Sequence, residues 1–209
     1  MFVTFEGIDG SGKTTQIEMF DDWLHTQNIT HTRIKEPNER TPIGTFIRKF
    51  LHERSLEWEF PTTSQLYLFL AERYYDSEFV IKPAIERGCT VICDRYHHST
   101  LAYQCGVHGV DLNTYWFDNL PGEGIIRPDI VFLFDLDPQI AATRMDDRDR
   151  SKFDDFEQEK HEKIRQTFLN LSGRDDRVVI LDATLPSEEI HVKVIKVFES
   201  HDLNKGAKG

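Results

Sequence analysis

Gly7-Ile8-Asp9-Gly10-Ser11-Gly12-Lys13-Thr14 decides how the rest of this chain is read. It satisfies G-x-x-x-x-G-K-[ST], the P-loop pattern. A triphosphate crowds several negative charges together. Successive backbone N–H groups can face its oxygens only where no Cβ intervenes, and Gly7, Gly10 and Gly12 supply that freedom. Lys13 offers a mobile cation to the terminal phosphates and Thr14 a hydroxyl to Mg²⁺. Ile8, Asp9, Ser11 and Thr15 complete the phosphate-binding stretch. Before it, Met1 to Glu6 reads as a short buried strand. After it, Gln16 to Gln27 reads as an amphipathic helix with Ile17, Phe20, Trp23 and Leu24 on one face. Strand, glycine-rich loop and helix are the context the motif requires, and the helix N-terminus adds partial positive charge.

Outward from there, strands and helices alternate. Thr32 to Lys35 reads as a strand ended by Glu36-Pro37. Thr41-Pro42 resembles an N-cap and first helical position for a helix to about Leu51. Thr62 to about Arg87 reads as a long helix kinked at Pro83 and stopped by Gly88. Thr90 to Cys93 is a buried strand, Ser99 to Gln104 a short helix, and Asp111 to Leu120 another. Asp129 to Leu136 is apolar on both faces, as parallel strands are. Pro138 to Met145 and Phe153 to Leu171 read as helices, Val178 to Leu181 as the last strand, and Pro186 to Ser200 as the last helix. The tail over 203–209 reads as frayed or disordered. The fold expected is α/β: a doubly wound, five-stranded parallel sheet of P-loop NTPase type, flanked by helices, in a single domain over 1–209.

Composition narrows the functions. The 209 residues carry a formal charge of −11, which argues against broad nucleic-acid binding through a basic surface. No apolar run approaches the roughly 18 residues of a membrane span, and the N-terminus lacks the pattern of a signal peptide. The three cysteines read as small core hydrophobes in a reducing, cytoplasmic compartment. The adjacent pair His97-His98 reads as surface loop.

The residues then resemble one family. Phe5 to Thr15, Glu36-Pro37, Leu68-Phe69-Leu70-Ala71-Glu72-Arg73, Val80 to Ile85, Arg127-Pro128-Asp129 and Leu181 to Thr184 are similar to thymidylate kinases. Asp94-Arg95-Tyr96 followed by Ser99-Thr100-Leu101-Ala102-Tyr103-Gln104 is the most specific segment. The resemblance implies phosphorylation of dTMP by Mg·ATP beneath a mobile lid at about 146–153, in a protein that is commonly a homodimer. Carried over by position, Asp9 lies where the family recognises the acceptor's sugar hydroxyl. Phe69 would stack on thymine, and Arg73 would reach the base or the acceptor phosphate. Arg95 would clamp that phosphate, with Asp94 near Mg²⁺. Glu36 and Ser99 fall on the acceptor side, Thr100 and Gln104 at the base edge, and Tyr103 on the deoxyribose. Arg144 would stack on adenine, and Arg148 or Arg150 would bring lid charge to the transferred group. These residue types suit the task, because phosphoryl transfer joins two anions and is driven by positioning and electrostatics.

Two departures stand out. Asn38-Glu39-Arg40-Thr41 replaces the family's Gly-Gly-Thr, and Lys35 replaces its arginine. At the lid, Ser151-Lys152-Phe153-Asp154 replaces Asp-Arg-Phe-Glu, and the P-loop holds no arginine, so the arginine role falls to the lid. Other acceptors, such as dUMP, a modified pyrimidine nucleotide or a deoxynucleoside, remain the alternative. A GTPase switch would need N-K-x-D, and Asn204-Lys205 is followed by Ala207 where the aspartate belongs.

Overall fold

A computed structural model of the chain describes residues 1–52, 61–113, 115–116, 124–144 and 155–206. β1 (Phe2–Gly7) is buried along its whole length. It lies at the centre of a five-stranded sheet with β2 (His31–Lys35), β3 (Thr90–Asp94), β4 (Ile130–Asp135) and β5 (Val178–Asp182), in the order β2-β3-β1-β4-β5. Every pairing is parallel, with Val3 opposite Ile92 on one side and Ile130 on the other. The continuous apolar runs of β3 and β4 follow from this, since helices cover both faces of a parallel sheet.

α1 (Lys13–Thr26) starts directly at Lys13, three residues earlier than its apolar periodicity begins. Its inner face, with α9 (Ser187–Gly206), builds an aromatic seam. Phe20 packs against Phe5, Trp23 and Phe198 at centroid distances of 5.9, 5.9 and 5.1 Å. Burying each such ring contributes roughly 2–3 kcal/mol. α7 (Pro138–Arg144) and α8 (Asp155–Ser172) complete that side, with Ile164 and Phe168 of α8 in the same core. On the other side, Phe2, Ile81, Val91 and Tyr96 form a second cluster.

α2 (Pro42–His52) begins where Thr41-Pro42 predicts. The long helix after Pro61 is continuous but not uniform. α3 (Thr62–Asp76) passes through a π-helical turn over Ser77–Ile81 into α4 (Lys82–Glu86). Pro83 has no N–H to give, and the widened turn lies immediately before it. Gly88, at φ 79°, closes the helix. After β3, α5 (His97–Thr100), a second π turn over Leu101–Cys105 and α6 (Gly106–His108) make one helical run.

Three expectations need correction. The described residues of the helix expected over 111–120 form turns: Leu112, Asn113 and Tyr115 do not propagate a helix. The last helix continues to Gly206, past the point where a frayed tail was expected. His97 and His98 are buried in α5, at 0% and 2% exposure, not in a surface loop. Their partners, Arg73 and Asp175, come from distant segments that no local pattern discloses. Among the described residues no helix is long and apolar enough to cross a membrane. All three cysteines are free thiols; Cys93 and Cys105 are buried and Cys89 half-buried.

Candidate active site

Open parallel sheets bind ligands beyond the carboxyl ends of their strands. Here that edge carries the phosphate loop after β1, Glu36 after β2, Asp94-Arg95 at β3 and Ala183 after β5. Gly10 sits at φ 77°, and a Cβ there would lie 2.8 Å from the carbonyl oxygen of Ala141 in α7. Both the backbone angle and the space therefore demand glycine. Lys13 folds back over the loop, its Nζ donating to the Ile8 carbonyl at 2.7 Å and reaching Ser11 Oγ at 3.4 Å. Burial, then the charge of Arg95, brings Lys13 down to about 7.

Asp9, Gly10, Ser11, Gly12, Lys13, Thr14 and Thr15 line a cavity of about 520 Å³. Asp94, Arg95 and Arg144 join them, and Arg144 is steadied by a 2.9 Å bond from Nη1 to the Ala183 carbonyl. Gly7 and Ile8 lie beneath this cavity, their carbonyls occupied by Arg95 and Lys13. Ala183, Leu185, Ser187 and Ile190 form an apolar-rich wall that the sequence reading does not identify. Gln16 ties it to α1, donating from Nε2 to the Ser187 carbonyl at 2.7 Å.

A second cavity, about 370 Å³, opens beside the first. Glu36, Phe69, Arg73, Arg95, Ser99, Thr100, Tyr103 and Gln104, expected on the acceptor side from sequence, all line it. Phe69 is half-buried here, while its neighbours Leu66 and Leu70 go into the core. The cavity also takes in Pro37, Arg48 and Tyr96, which the sequence reading missed. Arg48 follows the buried Ile47 on an amphipathic helix, where a charged residue carries no signal of its own. The Gln104 Oε1 and Glu36 Oε1 atoms are buried without hydrogen-bond partners. The two cavities share Asp9, Lys35 and Arg95.

That junction is charged and tightly braced. Arg95, at the left-handed φ of 68°, donates from Nη1 to the Gly7 carbonyl at 2.9 Å and Ser99 Oγ at 3.2 Å, and from Nη2 to Asp9 Oδ1 at 2.5 Å. The Arg95 charge, with Lys13 beyond it, holds Asp9 down at about 2. Glu6, buried in β1, accepts from the Tyr96 N–H at 2.9 Å and from the Ser99 hydroxyl, and so fixes the turn that aims Arg95. Lys35 takes the place of the family's arginine as a third cation at the junction, 3.1 Å from Asp94 Oδ2. The other Asp94 oxygen, Oδ1, is buried without a partner, and Thr14 lines the same cavity. A carboxylate oxygen with no donor beside a hydroxyl is a hard-oxygen set suited to Mg²⁺.

Arg73 is the most deeply buried cation of the second cavity. It pairs with Glu36, which keeps it charged despite burial, and its Nη2 donates to Thr100 Oγ1 at 2.9 Å. The variant loop after Pro37 is fastened to the same helix. The Asn38 N–H donates to Glu72, and Asn38 Nδ2 reaches both Asp76 oxygens at 3.0 and 3.2 Å. Burial pushes Glu72 up to about 7 and raises Asp76. Arg148, Arg150 and the expected lid lie outside the described residues.

A phosphate loop opening a helix, beside a second polar and aromatic cavity that meets it at shared cations, defines the P-loop enzymes that bring a nucleoside triphosphate up to another ligand. Comparison with known proteins narrows the class: the Thymidylate kinase family model matches residues 5–194, and the chain belongs to that family. It is 36% identical over 202 residues to the thymidylate kinase of Fervidobacterium nodosum, covering 96% of this chain and 100% of that one. The thymidylate kinase of Thermosipho africanus is also 36% identical, over 201 residues, with 96% and 98% of the two chains covered. That of a Sulfurihydrogenibium species is 34% identical over 196 residues, with 93% and 94% covered.

Proposed function

We propose that this chain is a dTMP kinase, a single P-loop domain that transfers the γ-phosphoryl group of ATP to dTMP and releases ADP and dTDP. The observation that carries the reading is the meeting of two cavities at Asp9, Lys35 and Arg95. In this reading ATP lies along the phosphate loop, its base between Arg144 and the wall of Leu185 and Ile190. dTMP lies in the second cavity, thymine against Phe69. The unpartnered Gln104 Oε1 suits the N–H of a pyrimidine edge, with Thr100 beside it. Tyr103 packs on the deoxyribose.

Arg95 neutralises the acceptor phosphate, assisted by Lys35. Lys13 neutralises the terminal phosphates. An acceptor phosphate oxygen bonds to the γ-phosphorus as the bond to the β–γ bridging oxygen breaks, leaving the electron pair on ADP. Mg²⁺, held by Thr14 and Asp94, would spread the negative charge of the polyphosphate. Closure of a lid at about 146–153 would exclude water and deliver Arg148 or Arg150. Phe46, Tyr67, Tyr75 and Phe79 are exposed on α2, α3 and the first π turn, which supports a homodimer through that face. Light scattering tests this, and a monomer mass at micromolar concentration overturns it. The reading carries the cytoplasm as the working compartment.

A coupled ADP-release assay with Mg·ATP against dTMP, dUMP, dCMP, dGMP, UMP and thymidine, with no-acceptor and Lys13→Ala controls, tests the function. The expected result is the highest kcat/KM by far for dTMP, and loss of turnover in Lys13→Ala. A different preferred acceptor would mean that the Asn38–Thr41 loop has altered specificity. Equal ADP release without acceptor would overturn the kinase reading.

A further inference from the structure

The His97-His98 pair is not used by the chemistry above, yet it is among the most deeply buried polar groups of the chain. Its position explains how Arg73 is oriented. Arg73 Nε donates to Glu36 at 3.1 Å, its Nη2 donates to Glu36 and to Thr100, and its Nη1 lies 3.5 Å from Nδ1 of His97. These contacts account for four of the five N–H groups of a guanidinium. The remaining hydrogen is on Nη1, the nitrogen that faces His97. The Tyr96 ring supports the guanidinium from one side, 4.8 Å from Cζ.

We infer that His97 is a positioning residue of the acceptor site: its unprotonated Nδ1 holds Nη1 of Arg73, and so aims the remaining Arg73 N–H for the acceptor. The inference rests on the reading that Arg73 serves the acceptor cavity it lines. A neutral acceptor suits this place. Glu36 already balances the Arg73 charge, so a second carboxylate would cancel the attraction for an anionic or carbonyl-bearing ligand. A cationic partner would repel it. Burial, then the charges of Arg73 and His98, keep His97 well below the ordinary imidazole range and hence neutral. The neutral ring accepts at Nδ1 only as the Nε2–H tautomer.

The ring is held from behind. Trp116 packs 6.4 Å from His97 and 6.1 Å from His98, and His98 Nε2 lies 3.2 Å from Asp175. Arg177 grips the same carboxylate with two bonds, at 2.6 and 2.8 Å. The acceptor cavity is thereby tied to the turn before β5.

Steady-state kinetics of His97→Leu, His97→Asn and Arg73→Gln test the inference. His97→Leu removes the acceptor atom and is expected to raise the KM for dTMP about tenfold, the scale of a hydrogen bond to a charged group, with the KM for ATP unchanged. His97→Asn places an amide oxygen near Nδ1 and is expected to return the dTMP KM to within about twofold of the parent. An unchanged dTMP KM in His97→Leu overturns the inference, as do equal changes for both substrates or no rescue by asparagine. Should His97→Leu not fold, His97→Gln replaces it: its amide falls beyond Nδ1, so a dTMP KM equal to that of His97→Asn overturns the inference. Arg73→Gln separates the two levels. If it leaves the dTMP KM unchanged, the reading of Arg73 fails. If it raises the KM while His97→Leu does not, only the role of His97 fails.

Discussion

Arg95 occupies a backbone region that a side chain enters at a cost, φ 68°, and spends its donors on Gly7, Ser99 and Asp9. The strain is held by Glu6, whose two oxygens accept from the Tyr96 N–H and the Ser99 hydroxyl just after Arg95. Arg95→Ala is expected to lower kcat/KM for dTMP by about 10²–10³, mainly through acceptor handling, since charge neutralisation of two approaching phosphates is the role lost. An unchanged acceptor KM and turnover would remove that role. Lys13 gives a pH prediction. A lysine is charged below its pKa, and Lys13 is brought down to about 7 in the free protein. kcat/KM for ATP reports the free protein, so it is expected to fall as pH rises above about 7, whereas kcat stays flat because bound triphosphate restores the charge. A kcat/KM profile flat from about pH 6 to 9 would refute the assignment. Lys13 and Arg95 were legible from their motifs. Glu6, Arg48 and His97 were not, because a buried acid, an arginine within an amphipathic helix and a paired histidine each have an ordinary explanation until their partners are in view.

At the level of the elements, helix α3 and the loop after β2 behave as one piece. Glu72, Arg73 and Asp76 face inward from α3, and Asn38 and Glu36 meet them from the loop. The substitution of Asn38 for a family glycine is thus not a slack loop but a clamp built on two buried carboxylates. Gly44 stands against this clamp: a Cβ there would collide with the Asn38 carbonyl and the Glu72 carboxylate. Gly44→Ala is expected to destabilise by about 1–3 kcal/mol and to raise the acceptor KM while leaving the ATP KM alone. Thermal melting and two-substrate kinetics check this, and an unaltered dTMP KM would detach the loop from the acceptor site. The helix boundaries at Pro42, Thr62 and Gly88 were readable from turn and cap chemistry. The two π turns were not, since a one-residue widening of a helix leaves its apolar spacing nearly intact.

Across the whole molecule, a buried polar chain runs from Glu36 through Arg73 to the neutral His97, with His98, Asp175 and Arg177 behind it. Burial alone would raise Asp175, but the bonds from His98 and Arg177 reverse this and hold it well below the usual carboxylate range. A depressed carboxylate contributes stability that is present above its unfolded value of 3.8 and is lost as pH falls below it. The melting temperature of the parent is therefore expected to drop more steeply than that of Asp175→Asn as pH falls from about 4 to 2. At neutral pH the variant should melt about 4–8 °C lower, from the loss of charge-assisted bonds. Parallel profiles would show that the Asp175 carboxylate is not coupled to folding.

The order of the strands, the phosphate loop and the motif residues that line both cavities were accessible from residue order; the wall of Leu185 and Ile190 and the side chain of Arg48 were not. Glycine spacing, apolar periodicity and helix caps are local, and so are the motifs that follow β1 and β3. The fold decided what those motifs meet: that two cavities share Asp9, Lys35 and Arg95, that Asn38 is clamped to α3, and that a histidine pair resembling a loop is buried behind Arg73. These facts depend on contacts between residues tens of positions apart, created when the parallel sheet brings the carboxyl ends of its strands to one edge.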